Sequence, residues 1–219
     1  MFKALLIVDV TLDFCEDGKL PVEGGNTVAS RIQHHLVVHG YEYKTIAVSQ
    51  CWHPDDINFE HFSKTPDYVN TWPMHGIENT RGALVHPVID QELTVYHLHQ
   101  TEYFKKGQTS SAYSAFEGFS DSMNILPDDL NGEGDVILNL EGNGIGLNDW
   151  FQFHQIQSVD VVGIATEFCL RASVLDSIRL GYKTTVFPYM CAGINLESST
   201  IAWTEMMNAG ANINNDIST

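Results

Sequence analysis

The stretch Val159–Tyr182 constrains the fold more than any other part of the chain. It opens on a β-branched apolar run, Val159 to Ile164, the pattern of a strand buried on both faces of a parallel sheet. It closes on an amphipathic run, with Leu170, Val174, Ile178 and Leu180 at roughly helical spacing and Gly181 placed to stop the helix. Between them lie a tight turn, Gly163 to Phe168, and then Cys169. A thiol at the start of a helix, just past the carboxyl end of a buried strand, stands where α/β folds hold reacting groups. The helix's free amides and dipole favour the thiolate there. The alternative reading is a core cysteine, because Cys packs as a small apolar residue.

The rest of the chain repeats the strand–helix alternation. Residues 3–10 read as a first strand ending on Asp9, a charge that is costly to bury without a purpose. Asn26 is placed to cap a helix, Thr27–His39, that Gly40 ends. Thr45–Gln50 reads as a second strand and Leu93–His97 as a third. Lys105 and Lys106 follow in a segment whose plain reading is a solvated loop. Residues 119–134 read as an irregular connection, and Asp135–Leu140 as a short strand. The glycines of Gly142–Gly146 lack the GxGxxG spacing and read as a turn. Leu147–His154 reads as a helix, Lys183–Phe187 as a strand, and Ser198–Ala209 as a last helix with Ser198 as cap and Gly210 as stop. This order predicts one α/β domain over residues 1–219, a three-layer sandwich with a mostly parallel sheet between helices and a loose polar tail from about residue 211.

Charge and cysteine usage narrow the setting. A net charge of −17 argues against nucleic acid or an anionic membrane as partner. No apolar run is long enough to span a bilayer, and the opening MFKALLIVDV reads as a strand, not a signal peptide. Cys15, Cys51, Cys169 and Cys191 lie far apart with no CxxC, which predicts a reducing, cytoplasmic protein. Cys51 and His53 alternate off the end of the second strand, so their side chains share a side. With His61 and His75 they offer sulfur and nitrogen donors suited to a borderline metal such as zinc. The competing reading is loop histidines and a packed cysteine.

Five motifs in order resemble the nicotinamidase/pyrazinamidase branch of the isochorismatase-like cysteine hydrolases, over nearly the whole length. They are VDVTLDFCEDGKLPVEGG, SQCWHP, TWPMHGIENTRGA, FKKGQTSSAYSAFEGF and VVGIATEFCLRASVLDSIRLGY. The resemblance implies a catalytic triad of Asp9, Lys106 and Cys169, and an oxyanion hole from the backbone amides of Ala165 and Cys169 behind a cis Ile164–Ala165 peptide. It implies metal ligands at Cys51, His53 and His75, with His61 a further candidate. Zinc is the expected metal, with iron or manganese as alternatives. Phe14, Trp72 and Tyr113 match the positions that pack around the substrate ring. The implied reaction converts nicotinamide, and pyrazinamide likewise, to the acid and ammonia through a cysteine acyl-enzyme; another small amide or carbamoyl substrate is the alternative. Three positions depart from the family pattern: Cys51 stands where Asp is usual, Thr11 where Gln is usual, and Gly76 where Cys is common. A third reading, from a different class, is a metal-binding or redox-sensing protein in which Cys51 is the working residue. Self-association stays open.

Overall fold

A computed structural model describes residues 1–120 and 144–216. In chain order its strands are β1 (Phe2–Val8), β2 (Thr45–Cys51), β3 (Thr101–Lys106), β4 (Phe119–Ser120), β5 (Ile156–Ile164), β6 (Lys183–Ala192) and β7 (Asn212–Ile213). The helices are α1 (Gly25–His39), α2 (Pro87–Tyr96), α3 (Leu147–Phe153), α4 (Arg171–Arg179) and α5 (Leu196–Ala209).

Ala4, Leu5, Leu6, Ile7 and Val8 are wholly buried, which places β1 at the centre. A strand covered on both faces needs parallel neighbours and helices above and below. The sheet order is β4-β3-β2-β1-β5-β6-β7, with every ladder parallel except β3–β4 among the described residues. Successive β1 side chains divide between the layers. Leu5 and Ile7 pack with Ile32 and Leu36 of α1 and Ile89 and Leu93 of α2. Ala4, Leu6 and Val8 pack with Phe151 of α3, Val174 of α4 and Met206 of α5. Burying each of the larger side chains contributes about 1.5–3 kcal/mol. The chain steps outward from β1 through β2 to β3, then returns to the other side of β1 as β5. That reversal opens a crevice beyond the carboxyl ends of β1 and β5, where α/β sheets bind ligands.

Several local expectations are corrected. Leu93 to Tyr96 are the end of α2, not a strand, and His97 is its C-cap. Pro87 at the first turn and the His86 ring accepting from Val88 N start this helix. Ile89 and Leu93 are buried on one face while Val95 and Tyr96 are exposed. The third strand is Thr101–Lys106, with Glu102, Phe104 and Lys106 turned inward, so Lys106 is not in a solvated loop. The cap of α1 is the Glu16 carboxylate, which accepts from Gly24 N at 3.0 Å and Asn26 N at 2.7 Å; Asn26 lies inside the helix. Asn195, not Ser198, caps α5, accepting from Glu197 N and Ser198 N. The stretch after Gly210 is not all loose, because Asn212 and Ile213 pair with Thr185 and Val186 of β6. The expected strand Asp135–Leu140, residues 121–134, Gly142 and Asn143 lie outside the described residues. Among the described residues no helix is long and apolar enough to cross a membrane.

Candidate active site

Four strand ends deliver the reactive side chains to one edge of the sheet. Asp9 follows β1, Cys51 ends β2, Lys106 ends β3, and Cys169 lies in the turn after β5. β1 and β5 approach so closely at this edge that a Cβ on Gly163 would sit 2.1 Å from Val8 O. Glycine is required there, and its φ of 128° is open to no other residue at low cost. Asp9 adopts a left-handed backbone, φ 51°, which Asp tolerates better than most residues. Cys169 sits in a π-helical turn, Thr166–Leu170, that leads into α4. Phe168 N and Leu170 N both donate to Ala165 O, and Ser173 Oγ donates to Cys169 O at 2.6 Å. The Ile164–Ala165 peptide is cis.

Lys106 is the hub. Its side chain is fully buried, and Nζ lies 2.9 Å from Asp9 Oδ2, 3.1 Å from Cys51 Sγ and 3.4 Å from Cys169 Sγ. A fourth contact, to Ala112 O at 3.2 Å, holds the ammonium in place. Asp9 is also wholly buried, and its second oxygen accepts from Ser49 Oγ at 2.7 Å. Each buried ion loses several kcal/mol of hydration, so the pair survives only because every charge is met. One ammonium faces three acidic groups, and they do not all ionise alike. Burial raises the Asp9 carboxyl above its ordinary value, with Lys106 and Ser49 opposing. The hydrogen bond from Cys169 and the Lys106 charge hold Cys51 well below the usual thiol range, against its burial. The same hydrogen bond, with burial, holds Cys169 up. Burial alone would lower Lys106, but Asp9, Cys169 and Cys51 outweigh it and keep it charged.

Beside this cluster lies a donor set that fits a divalent metal. One ligand atom each from Cys51, His53 and His75 lies within 4.8 Å of the others, and all three residues are buried. His53 Nδ1 is 2.9 Å from Gly107 O and His75 Nδ1 is 2.8 Å from Pro73 O. A carbonyl only accepts, so both Nδ1 atoms carry the proton and both Nε2 atoms keep a lone pair. Among the described residues His53 Nε2 is buried with no hydrogen-bond partner, the state expected of a metal ligand. Gly107, φ 77°, makes this packing feasible, since a Cβ there would lie 2.3 Å from the His53 ring. His61 stands further out, its ring 5.0 Å from that of His53 and 5.4 Å from that of His75. Burial, with the nearby His53 and His75, pushes its pKa down to about 3, so its imidazole is neutral.

Both groups open into one pocket, whose walls include Phe14, Trp72, Tyr113, Phe168, Ala165 and Cys169. Trp72 Nε1 donates to Tyr113 OH at 3.0 Å and its ring meets Phe168 edge-on at 4.8 Å. Tyr113 stacks on Phe168, with centroids 6.0 Å apart. Phe14 lies 5.2 Å from the His75 ring. The pocket therefore offers flat aromatic walls, a thiol at one side and nitrogen donors at the other. Of the residues expected from the sequence, Phe14, Cys51, His61, Trp72, His75, Tyr113, Ala165 and Cys169 line this pocket, while Asp9 and Lys106 meet Cys51 and Cys169, and His53 groups with Cys51 and His75. At the departures, Gly76 N donates to Asp13 Oδ2 at 2.9 Å beside the metal loop, while the buried Thr11 hydroxyl has no hydrogen-bond partner among the described residues.

Four supporting residues escaped the sequence reading. Ser49 is an unremarkable strand serine until its partner Asp9 is known. Phe168 looked like an ordinary turn residue. The Asp13 carboxylate, buried behind Gly82 and Gly76, fixes the loop that carries His75. Glu167, in the turn itself, accepts from Ile194 N at 3.0 Å, Asn195 N at 2.9 Å and the Ser198 and Ser199 hydroxyls. It ties the cysteine turn to the start of α5. An acidic residue inside an otherwise apolar turn was the available signal.

Known proteins share this fold. The Isochorismatase domain profile matches residues 143–215. A nicotinamidase/pyrazinamidase of Mycobacterium tuberculosis is 34% identical over 211 residues, covering 96% of this chain and 97% of that protein. The solved nicotinamidase/pyrazinamidase of Acinetobacter baumannii superposes with a TM-score of 0.71 at 29% identity, covering 96% of this chain and 94% of that one. The pyrazinamidase of Pyrococcus horikoshii, solved in complex with zinc, has the same fold, with a TM-score of 0.73 at 24% identity over 98% and 99% of the two chains. A third of identical positions, spread over almost the full length of both proteins, places the chain in the nicotinamidase/pyrazinamidase family of isochorismatase-like hydrolases.

Proposed function

We propose that the chain hydrolyses nicotinamide to nicotinate and ammonia, and pyrazinamide likewise, through an acyl-enzyme on Cys169. The observation that carries this reading is the buried Asp9–Lys106–Cys169 cluster, whose Cys169 lines an aromatic pocket, with metal donors beside it. The ring lies between Phe14, Trp72 and Tyr113. Cys169 Sγ attacks the amide carbon, and Asp9, raised by burial, takes the thiol proton and returns it to the leaving ammonia. Lys106 keeps both groups placed and offsets the growing negative charge. The amides of Ala165 and Cys169 receive the oxyanion. Asp9 then takes a proton from the water that cleaves the thioester.

Cys51, His53 and His75 hold the metal, with His61 as an outer donor. The one thiolate and neutral imidazoles favour zinc over harder ions. When bound, the metal supplies a Lewis-acidic anchor for the ring nitrogen. Four cysteines spaced far apart with no CxxC support a reducing, cytoplasmic setting.

Ammonia release from nicotinamide tests the activity. Turnover is expected in the purified protein, to be lost on chelation and regained with zinc more fully than with manganese. A metal-loaded protein with no turnover on nicotinamide would move the substrate elsewhere in the superfamily. A second expectation concerns Ser49, whose hydroxyl stabilises the ionised Asp9. Asp9 must be ionised to accept the proton, so kcat/KM falls as pH drops through its raised pKa. Ser49→Ala removes a donor to the charged form and raises that pKa further, which moves the acid limb of the profile to higher pH. An acid limb that stays in place in Ser49→Ala would show that Asp9 is not the group being titrated.

A further inference from the structure

Cys51 and Cys169 come from the ends of different strands, yet their sulfurs, with an oxygen of Asp9, lie within 4.8 Å of one another. Nothing covalent joins them. Lys106 Nζ faces both, at 3.1 and 3.4 Å. Both also line the substrate pocket, so a small solute that enters it meets the two thiols together. A disulfide needs a sulfur separation of about 2.05 Å. A change of χ1 rotamer moves a cysteine sulfur by roughly 3 Å, the scale of the difference between the present separation and a bond. Cys15 and Cys191 are not among the pocket walls.

We propose that Cys51 and Cys169 form an oxidative modification site. A peroxide converts them to an internal disulfide that blocks the nucleophile and withdraws a metal donor in one event. In the first step Asp9 takes the Cys169 thiol proton and the sulfur attacks one peroxide oxygen. The O–O bond breaks, hydroxide leaves and takes up a proton as water, and Cys169 becomes a sulfenic acid. In the second step Cys51 sulfur attacks the Cys169 sulfur. The S–O bond breaks, the S–S bond forms, and the second hydroxide takes the Cys51 proton, or a solvent proton where Cys51 was a thiolate. Two thiols lose two electrons, and peroxide is reduced to two waters. The nearness of Cys51 makes the second step faster than further oxidation of Cys169, so the damage is reversible by an added thiol. A carboxylate at position 51 would still offer a metal donor but no resolving sulfur. The proposal uses Cys169 as the reactive sulfur and so rests in that respect on the proposed function.

The test treats the full-length, zinc-loaded protein with hydrogen peroxide and digests it without reduction. The expected product is a peptide linking Cys51 to Cys169, lighter by two hydrogens than the sum of its parts. Zinc release is expected to accompany it. Amidase activity is lost and returns after dithiothreitol and zinc. The same linkage is expected with Cys15→Ser and Cys191→Ser introduced together. In Cys51→Asp the linked peptide is absent, Cys169 accumulates as sulfinic and sulfonic acids, and dithiothreitol restores nothing. Over-oxidised Cys169 beside an intact Cys51 thiol in the unaltered protein would overturn the proposal, as would a linkage to Cys15 or Cys191. The crosslink is read from the peptide, so a chain inactive on nicotinamide still reports it. Failure of the substrate assignment is therefore distinguishable from failure of the modification site.

Discussion

Cys169→Ala is expected to lower nicotinamide turnover by about 10⁴-fold or more while leaving the fold and the metal content unchanged. The size of the effect follows from covalent catalysis. Without the sulfur no acyl-enzyme forms, and the oxyanion amides and aromatic walls retain only binding and a small residual rate. The structural cost is small for separate reasons. Ala is compatible with the π-turn and α4, and Ser173 Oγ bonds the Cys169 carbonyl, which the substitution keeps. Losing one sulfur leaves a void that costs on the order of 1 kcal/mol. Lys106 keeps its contacts to Asp9 and Cys51, and neither His53 nor His75 is touched. Ammonia release, a thermal melt and elemental analysis on the same preparation separate the two halves of the expectation. Retained amidase activity in the alanine variant would end the assignment of Cys169 as nucleophile, and with it the acyl-enzyme.

The strand–turn–helix around Cys169 was legible because three independent signals agree there: a β-branched run, a helical stripe and a glycine stop. Lys106 was different. By composition two adjacent lysines belong in solvent, and only the inward alternation of Glu102, Phe104 and Lys106 in β3 buries the second. Missing that strand had a physical cause. Leu93–His97 carries β-forming residues, and a run of five cannot separate a strand from one turn of helix. The deciding signals were Pro87 and the burial of Ile89 and Leu93 on one face, which depend on what packs against α2. The helix caps failed for a similar reason. Glu16 reaches across eight to ten residues to cap α1, a distance that no local capping rule scans. The metal donors were named as a set through the resemblance, while their spacing alone left loop histidines and a packed cysteine open. Their selection lies in hydrogen bonds to Gly107 and Pro73 that fix the ring tautomers, and backbone carbonyls leave no trace in sequence.

Asp9→Asn should combine a large loss of rate with a large loss of stability, and the two should be separable. Asparagine cannot take the thiol proton, so kcat is expected to fall by about 10²–10⁴-fold, the usual worth of a general base. Lys106 then keeps its buried ammonium without its nearest carboxylate, at 2.9 Å in the intact protein. Breaking one side of a buried ion pair costs about 3–5 kcal/mol. Here the lower end applies, because Cys51 and Cys169 still face the ammonium. Adding Lys106→Met removes the unpaired charge and fills the same buried space with an apolar chain. The double variant is therefore expected to melt close to the unaltered protein while remaining as inactive as Asp9→Asn. A double-mutant cycle on urea unfolding gives the coupling between the two side chains directly. If stability is not recovered in the double variant, Asp9 supports the fold through Ser49 and its left-handed backbone more than through Lys106. If activity returns with it, the proton is carried by another group, and the cluster is structural. Recovery of stability alone would locate the function in Asp9 and the cost of holding it there in the pairing with Lys106.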